Sequence, residues 1–173
     1  MQFISEEIPK IELEIGAAVL ELAALLKERG LCVSAAESLT CGMISSSFAD
    51  VAGCSKWFSH GFVTYSDEAK ADLLGVDPAL IKKHTAVSAE VGLEMARCAL
   101  KRSGADFAIA VTGLAGPGPD ELGRDAGLVY IAVAFSGGQA VREFHFDGNR
   151  TLIRKKTNRA AVLMLKRMVQ NLS

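Results

Sequence analysis

The four cysteines of this 173-residue chain, Cys32, Cys41, Cys54 and Cys98, include no Cys-x-x-Cys pair. That removes the common zinc and dithiol signatures and leaves a reducing cytoplasm as the expected compartment. An excess of one charge is also missing: 19 Lys and Arg stand against 20 Asp and Glu, a formal net charge of −1. A dedicated nucleic-acid binder usually carries a strong basic balance, so nucleic acid is not expected as the main partner, although a local basic patch remains open. No long apolar run is present. The longest, around Ile15 to Leu26, is interrupted by Glu21 and falls short of the ~20 apolar residues a membrane span needs. The start, Met-Gln-Phe-Ile-Ser-Glu-Glu, lacks the basic and apolar regions of a signal peptide. Internal repeats and low-complexity linkers are absent too.

What is present is a half-apolar chain of the size and composition of one globular domain, residues 1–173, with a sizeable core. Ile15, Ala18, Val19, Leu22, Leu25 and Leu26 recur at helical spacing and end at Gly30, which predicts an amphipathic helix. A strand over Leu31 to Ala36, a helix over Gly42 to Val51 and a second strand over Trp57 to Tyr65 follow. Two short helices are expected before Ser88 caps a longer one that ends near Gly104. Phe107 to Thr112 is a continuous apolar run of the kind buried on both faces of a sheet. Leu128 to Phe135 and Val141 to Phe146 read as a hairpin around Ser136-Gly137-Gly138, and a last helix begins near Leu152. The alternation predicts a three-layer α/β/α domain with a mixed sheet, whose functional groups gather at strand carboxyl ends.

Three segments carry chemistry. Val-Ser-Ala-Ala-Glu-Ser-Leu-Thr-Cys-Gly (33–42) is a strand-to-helix turn presenting Ser38. Such a turn exposes a hydroxyl beside a helix N-terminus, where N–H groups can hold an anion or an oxyanion, or else it is simply a cap. The Tyr65-Ser66 junction and the glycine-rich stretch after Thr112 are the other two. All three are expected at strand ends, where they can converge on one crevice. Ser88 has two readings, cap and active-site hydroxyl, of which the cap is favoured. The cysteines, Cys41 included, read as buried small hydrophobes or spectators.

The ordered set Ala36-Glu37-Ser38-x-Thr40, Tyr65-Ser66-x-Glu68-Ala69-Lys70, His84-x-Ala86-Val87-Ser88, Val111-Thr112-Gly113-x-Ala115-Gly116-Pro117-Gly118 and Gly127-x-Val129-Tyr130 resembles the C-terminal domain of the CinA (competence/damage-inducible protein) family. Stand-alone members of that family include nicotinamide mononucleotide amidohydrolases. The resemblance runs from about residue 15 to 170 and implies deamidation of nicotinamide mononucleotide to nicotinate mononucleotide and ammonia, with neither metal nor cofactor. It implies Ser38 as nucleophile, Lys70 as general base and Tyr65 as donor or relay. A lysine serves as base when burial or a nearby cation depresses its pKa.

Substrate contacts implied in the same way are Thr40, Gly42, Thr112, Gly113, Gly116 and Arg150, with the Thr112 hydroxyl and the glycine-rich turn as an anion cradle. Arg150 otherwise belongs to a basic solvated face with Arg154, Lys155, Lys156 and Arg159. Three positions depart from the family pattern: Cys41 before Gly42, Arg124-Asp125-Ala126 before the Gly-x-Val strand, and Asn149 before Arg150. These departures keep open a non-catalytic paralogue that binds a phosphorylated nucleotide. A nucleic-acid accessory role, resting on the Arg150–Arg159 basic run, ranks last. Family analogy further implies a small-molecule mononucleotide partner and a stand-alone form without the preceding domain of longer members; the apolar composition, with family analogy in support, gives a homodimer or other homo-oligomer as the expectation, and the lack of a spanning run gives no membrane.

Overall fold

A computed structural model describes residues 7–172; the leader read above for signal-peptide character lies outside them except for Glu7. Helix α1 (Glu7–Arg29) buries Ile11, Ile15, Ala18, Val19, Leu22, Ala23 and Leu26 along one stripe, the spacing of a single helical face. Strand β1 (Val33–Glu37) leads into α2 (Met43–Ala49), and β2 (Phe58–Val63) follows. A short helix α3 (Asp67–Ala69) runs directly into one π-helical turn, Lys70–Leu74. Helices α4 (Pro78–His84) and α5 (Ala89–Ser103) are capped by the side chains of Asp77 and Ser88. Strand β3 (Phe107–Gly113) precedes the hairpin of β4 (Leu128–Phe135) and β5 (Gly138–His145), and α6 (Arg150–Gln170) closes the chain.

The sheet runs β2-β1-β3-β4-β5. Strand β1 pairs in parallel with β2 and β3, whereas β3/β4 and β4/β5 are antiparallel, so the sheet is mixed. Alternation along β3 divides the core. Phe107, Ile109 and Val111 pack with α1 and α6 residues into one cluster, while Ala108 and Ala110 join Ala132, Ala134 and the apolar face of α5 in the other. Alanines on that second face leave room for a helix to lie close against the strands. The three-layer α/β/α arrangement follows. The hairpin turn is tighter than the sequence suggested, since β5 already begins at Gly138 opposite Phe135.

Two features place the chemistry. The parallel strands β1, β2 and β3 all end on one edge of the sheet, with Glu37 level with both Val63 and Val111. Phe48 of α2 is fully buried against Trp57, ring centroids 5.5 Å apart and nearly edge to face, which packs the C-terminal end of α2 beside the starts of β1 and β2 and so fixes the line of the helix that begins at the carboxyl end of β1. Among the described residues no helix is long and apolar enough to cross a membrane.

Candidate active site

Ser38 is the first residue past β1. Its N–H donates to Val111 O at 3.1 Å, and Thr64 N–H donates to Glu37 O at 2.8 Å. The serine is thereby knitted between the ends of β3 and β2. A crevice of about 330 Å³ opens there, lined by Ser38, Leu39, Tyr65, Lys70, Thr112, the Gly113–Asp120 loop and Arg150. The three segments expected at strand ends do line one crevice. A larger groove of about 480 Å³ between α1, α2 and α6 has Lys155 already paired with Glu12 at 2.6 Å.

Lys70 dominates the electrostatics. It is 1% exposed, and its Nζ reaches Ser66 O at 3.3 Å and Asp67 Oδ1 at 3.7 Å. The π-helical turn that begins at Lys70 widens the backbone there, a departure from α-helix that recurs at functional sites. Burial holds the Lys70 ammonium below the usual lysine range, while the Asp67 carboxylate opposes the shift. Lys70 and Ser38 line the same crevice, and a buried lysine of lowered pKa has the chemistry of a base.

The sign for stability follows from the same shift. Because the folded chain holds this proton less tightly than the unfolded chain, stability from this group rises with pH from the folded pKa up to the ordinary lysine value. Below that window the buried charge opposes folding. Lys70→Met, which keeps the length and removes the charge, is therefore expected to raise stability at pH 7 by about 1 kcal/mol, or ~3 °C in Tm for a chain of this size. Thermal melts at pH 7 and pH 10 check it: the variant's gain should shrink at the higher pH.

Arg150 joins two walls of the crevice. Its Nη1 donates to Gly116 O at 2.7 Å and its Nη2 to the Tyr65 hydroxyl at 2.8 Å. Gly113 has to be glycine, since a Cβ there would sit 2.6 Å from Leu128 O and 2.8 Å from Val129 Cα. Leu39, Ala115, Gly116 and Gly118 all line the crevice, and their N–H groups are without hydrogen-bond partners among the described residues.

Several expectations change. The N-terminus of α2 is not an open anion site. The Glu37 carboxylate, fully buried, fills it, accepting from the N–H groups of Gly42 (2.9 Å), Ile44 (3.1 Å) and Ser45 (2.8 Å) and from the Ser45 hydroxyl (2.7 Å). Gly42 turns its N–H toward Glu37, and Thr40 is fully buried; neither lines the crevice. Thr112 does line it, but its hydroxyl donates to Ala86 O at 2.6 Å, so an anion would meet its lone pairs rather than its proton.

Ser88 is the cap it was expected to be, accepting from Val91 N–H at 3.2 Å. None of the cysteines is fully buried: Cys54 and Cys98 are partly buried against the two cores and Cys32 is intermediate, while Cys41, at φ +50° in the turn, is exposed. The basic face of α6 is not merely solvated. Lys156 is buried against Asp147 at 2.6 Å, Arg159 meets Glu14 at 2.7 Å, and Arg154 reaches the Leu39 and Thr40 carbonyls. The signal for Arg154 was its place four residues after Arg150, which sets both on one helix face. Arg124, noted only as a departure, bonds Asp120, the Thr85 hydroxyl and Val87 O, and so joins the crevice loop to the segment before α5.

The model of the CinA C-terminal domain matches residues 17–169. The chain belongs to this family. A CinA-like protein of Geotalea daltonii is 44% identical over 146 residues, 84% of this chain but 35% of that protein. The chain thus spans about a third of the length of such curated CinA relatives. Against the nicotinamide-nucleotide amidohydrolase PncC of Escherichia coli K12 the identity is 40%, over 84% of this chain and 88% of that one. The crystal structure of a competence damage-inducible protein A (ComA) from Klebsiella pneumoniae superposes with a TM-score of 0.89 at 33% identity, covering 92% of this chain and 99% of that one. The CinA fold accordingly extends over nearly all the described residues, crevice included.

Proposed function

We propose that this chain is a metal-independent serine amidohydrolase that converts nicotinamide mononucleotide to nicotinate mononucleotide and ammonia, a step of pyridine nucleotide salvage. The observation that carries the reading is Lys70, an almost fully buried lysine of lowered pKa lining the same crevice as Ser38. Support comes from the likeness, along most of both chains, to a relative named for that reaction. In the reaction Ser38 Oγ attacks the carboxamide carbon while its proton passes to Lys70 Nζ. The carbon–nitrogen bond then breaks, the proton moves from Lys70 to the departing ammonia, and a nicotinate ester remains on Ser38. Water attacks that ester with Lys70 again taking the proton, and Ser38 Oγ leaves and is reprotonated.

The crevice N–H groups of the Ala115–Gly118 loop and of Leu39 are the donors offered to the oxyanion, where donors placed in advance contribute most. Arg150 and the glycine loop offer the substrate phosphate a cation and close backbone approach. Tyr65, held by Arg150, is the relay or donor at the crevice mouth. Incubating the purified chain with nicotinamide mononucleotide and assaying ammonia and the acid product tests the proposal, and turnover is the expected result. The rate should rise with pH through the lowered Lys70 pKa and then level, because only the neutral amine accepts the serine proton. Calorimetric binding of the nucleotide with no product formed would instead identify a non-catalytic nucleotide-binding paralogue.

A further inference from the structure

The strongest hydrogen bonds to the Ser38 turn come from a residue outside the crevice lining. Ser38 to Cys41 form a β-turn closed by Cys41 N–H to Ser38 O at 3.1 Å. In such a turn the closing bond leaves the central peptide, here Leu39–Thr40, free to flip between turn types. Half-buried Arg154 of α6 holds that peptide through Nε to Leu39 O and the following one through Nη2 to Thr40 O, both at 2.8 Å. Thr40 O also accepts from Met43 N–H at 3.3 Å, whereas among the described residues Leu39 O is partnered by Arg154 alone. Because a planar trans peptide sets O and H on opposite sides, the Thr40 N–H faces away from the guanidinium.

We infer that Arg154 is a positioning residue for the nucleophile, fixing the Leu39–Thr40 peptide so that Ser38 and the N–H groups after it keep one orientation. The inference rests on the amidohydrolase reading above. Arg154 is absent from the crevice lining while Arg150, one helical turn earlier, is part of it. The same face of α6 thus holds the walls of the crevice through Arg150 and the nucleophile turn through Arg154. The guanidinium fork suits the task, since two charge-assisted bonds from one planar group fix two successive carbonyls at once. Lysine, a single flexible point charge, can hold only one of them well.

The test uses the full chain and the variants Arg154→Ala and Arg154→Lys. Arg154→Ala is expected to lower kcat for nicotinamide mononucleotide about 100-fold, the scale of effect that loss of reacting-group orientation produces, with KM within about twofold because substrate contacts are untouched. Free guanidinium ion should restore part of the alanine variant's rate and leave the wild type unmoved, and Arg154→Lys should fall between the two. An unchanged kcat, or a loss confined to KM, overturns the inference; so does a loss that tracks unfolding in both variants and that guanidinium does not relieve.

Labelling by a fluorophosphonate separates this outcome from failure of the proposed reaction. The label forms a Ser38 Oγ–phosphorus bond and expels fluoride, the serine proton passing to Lys70, and needs no mononucleotide. If the wild type releases no ammonia yet takes the label, slower labelling of Arg154→Ala upholds the positioning role and equal labelling overturns it. A wild type with neither activity overturns both readings.

Discussion

Ser38→Ala is expected to reduce carboxamide turnover by about 10⁵-fold or more, with folded stability changed by less than ~1 kcal/mol. The first number follows from covalent catalysis. Without Oγ the acyl-enzyme cannot form, and only binding and oxyanion donors remain to assist direct attack by water. The second follows from the environment. Among the described residues the Ser38 hydroxyl makes no hydrogen bond, while the backbone that fixes the turn bonds through Ser38 N–H to Val111 O and through Ser38 O from Cys41 N–H; both survive in alanine.

Lys70→Ala should fall almost as far, and the double variant should be no worse than either single one, because nucleophile and base act as one unit. Single-turnover kinetics with the nucleotide read all three. Additive losses, or a Ser38→Ala variant with most of its rate, would assign the chemistry to another group. Lys70→Ala also differs from Ser38→Ala in leaving a cavity where a long buried side chain stood, so the activity comparison belongs at a temperature where both remain folded.

The sequence told more about the skeleton than about the partners of its polar groups. Helical spacing from Ile15 to Leu26, the buried run Phe107–Thr112 and the Ser88 cap were all legible, because each is a local pattern set by one element's own burial. The gathering of Ser38, Tyr65, Lys70, Thr112, Gly113, Gly116 and Arg150 around one crevice followed from placing three loops at parallel strand ends and from the ordered family motifs. Less legible was anything decided by which of several nearby acceptors a charged group chooses. Glu37 stands at the end of a buried strand, and sequence alone does not say whether its carboxylate faces the crevice or turns back onto α2. Arg154 and Lys156 look like solvated cations until the tertiary fold sets carbonyls and Asp147 beside them. Thr112 was expected to offer a proton to an anion, and the Ala86 carbonyl, more than 20 residues away in sequence, takes it first.

Glu37→Ala is expected to remove about 3–5 kcal/mol of stability, a large share of what a domain of this size possesses. The carboxylate is fully buried and accepts four hydrogen bonds, three from backbone N–H groups at the start of α2 and one from the Ser45 hydroxyl. The buried Ile44 N–H would lose its acceptor at about 1–3 kcal/mol and the partly buried Gly42 and Ser45 donors at less apiece, and the positive end of the helix dipole would lose its counter-charge. Glu37→Gln keeps one oxygen but aims an NH₂ group at N–H donors, so it should recover less than half of the loss.

The effect reaches the chemistry because Glu37 and Gly42 bracket the Ser38 turn. To bring Gly42 N–H back to Glu37, the chain adopts positive φ at Cys41 and Gly42 in succession, and releasing that anchor releases Ser38 with it. Urea unfolding should therefore show a lower midpoint with an unchanged slope, and the folded fraction that remains should turn over more slowly than wild type. A Glu37→Ala chain with the wild-type midpoint would mean that water satisfies the start of α2 as well as the carboxylate does. Wild-type kcat in a destabilised but folded variant would instead separate the two roles, leaving Glu37 to the helix and the orientation of Ser38 to its bonds with β3 and α6.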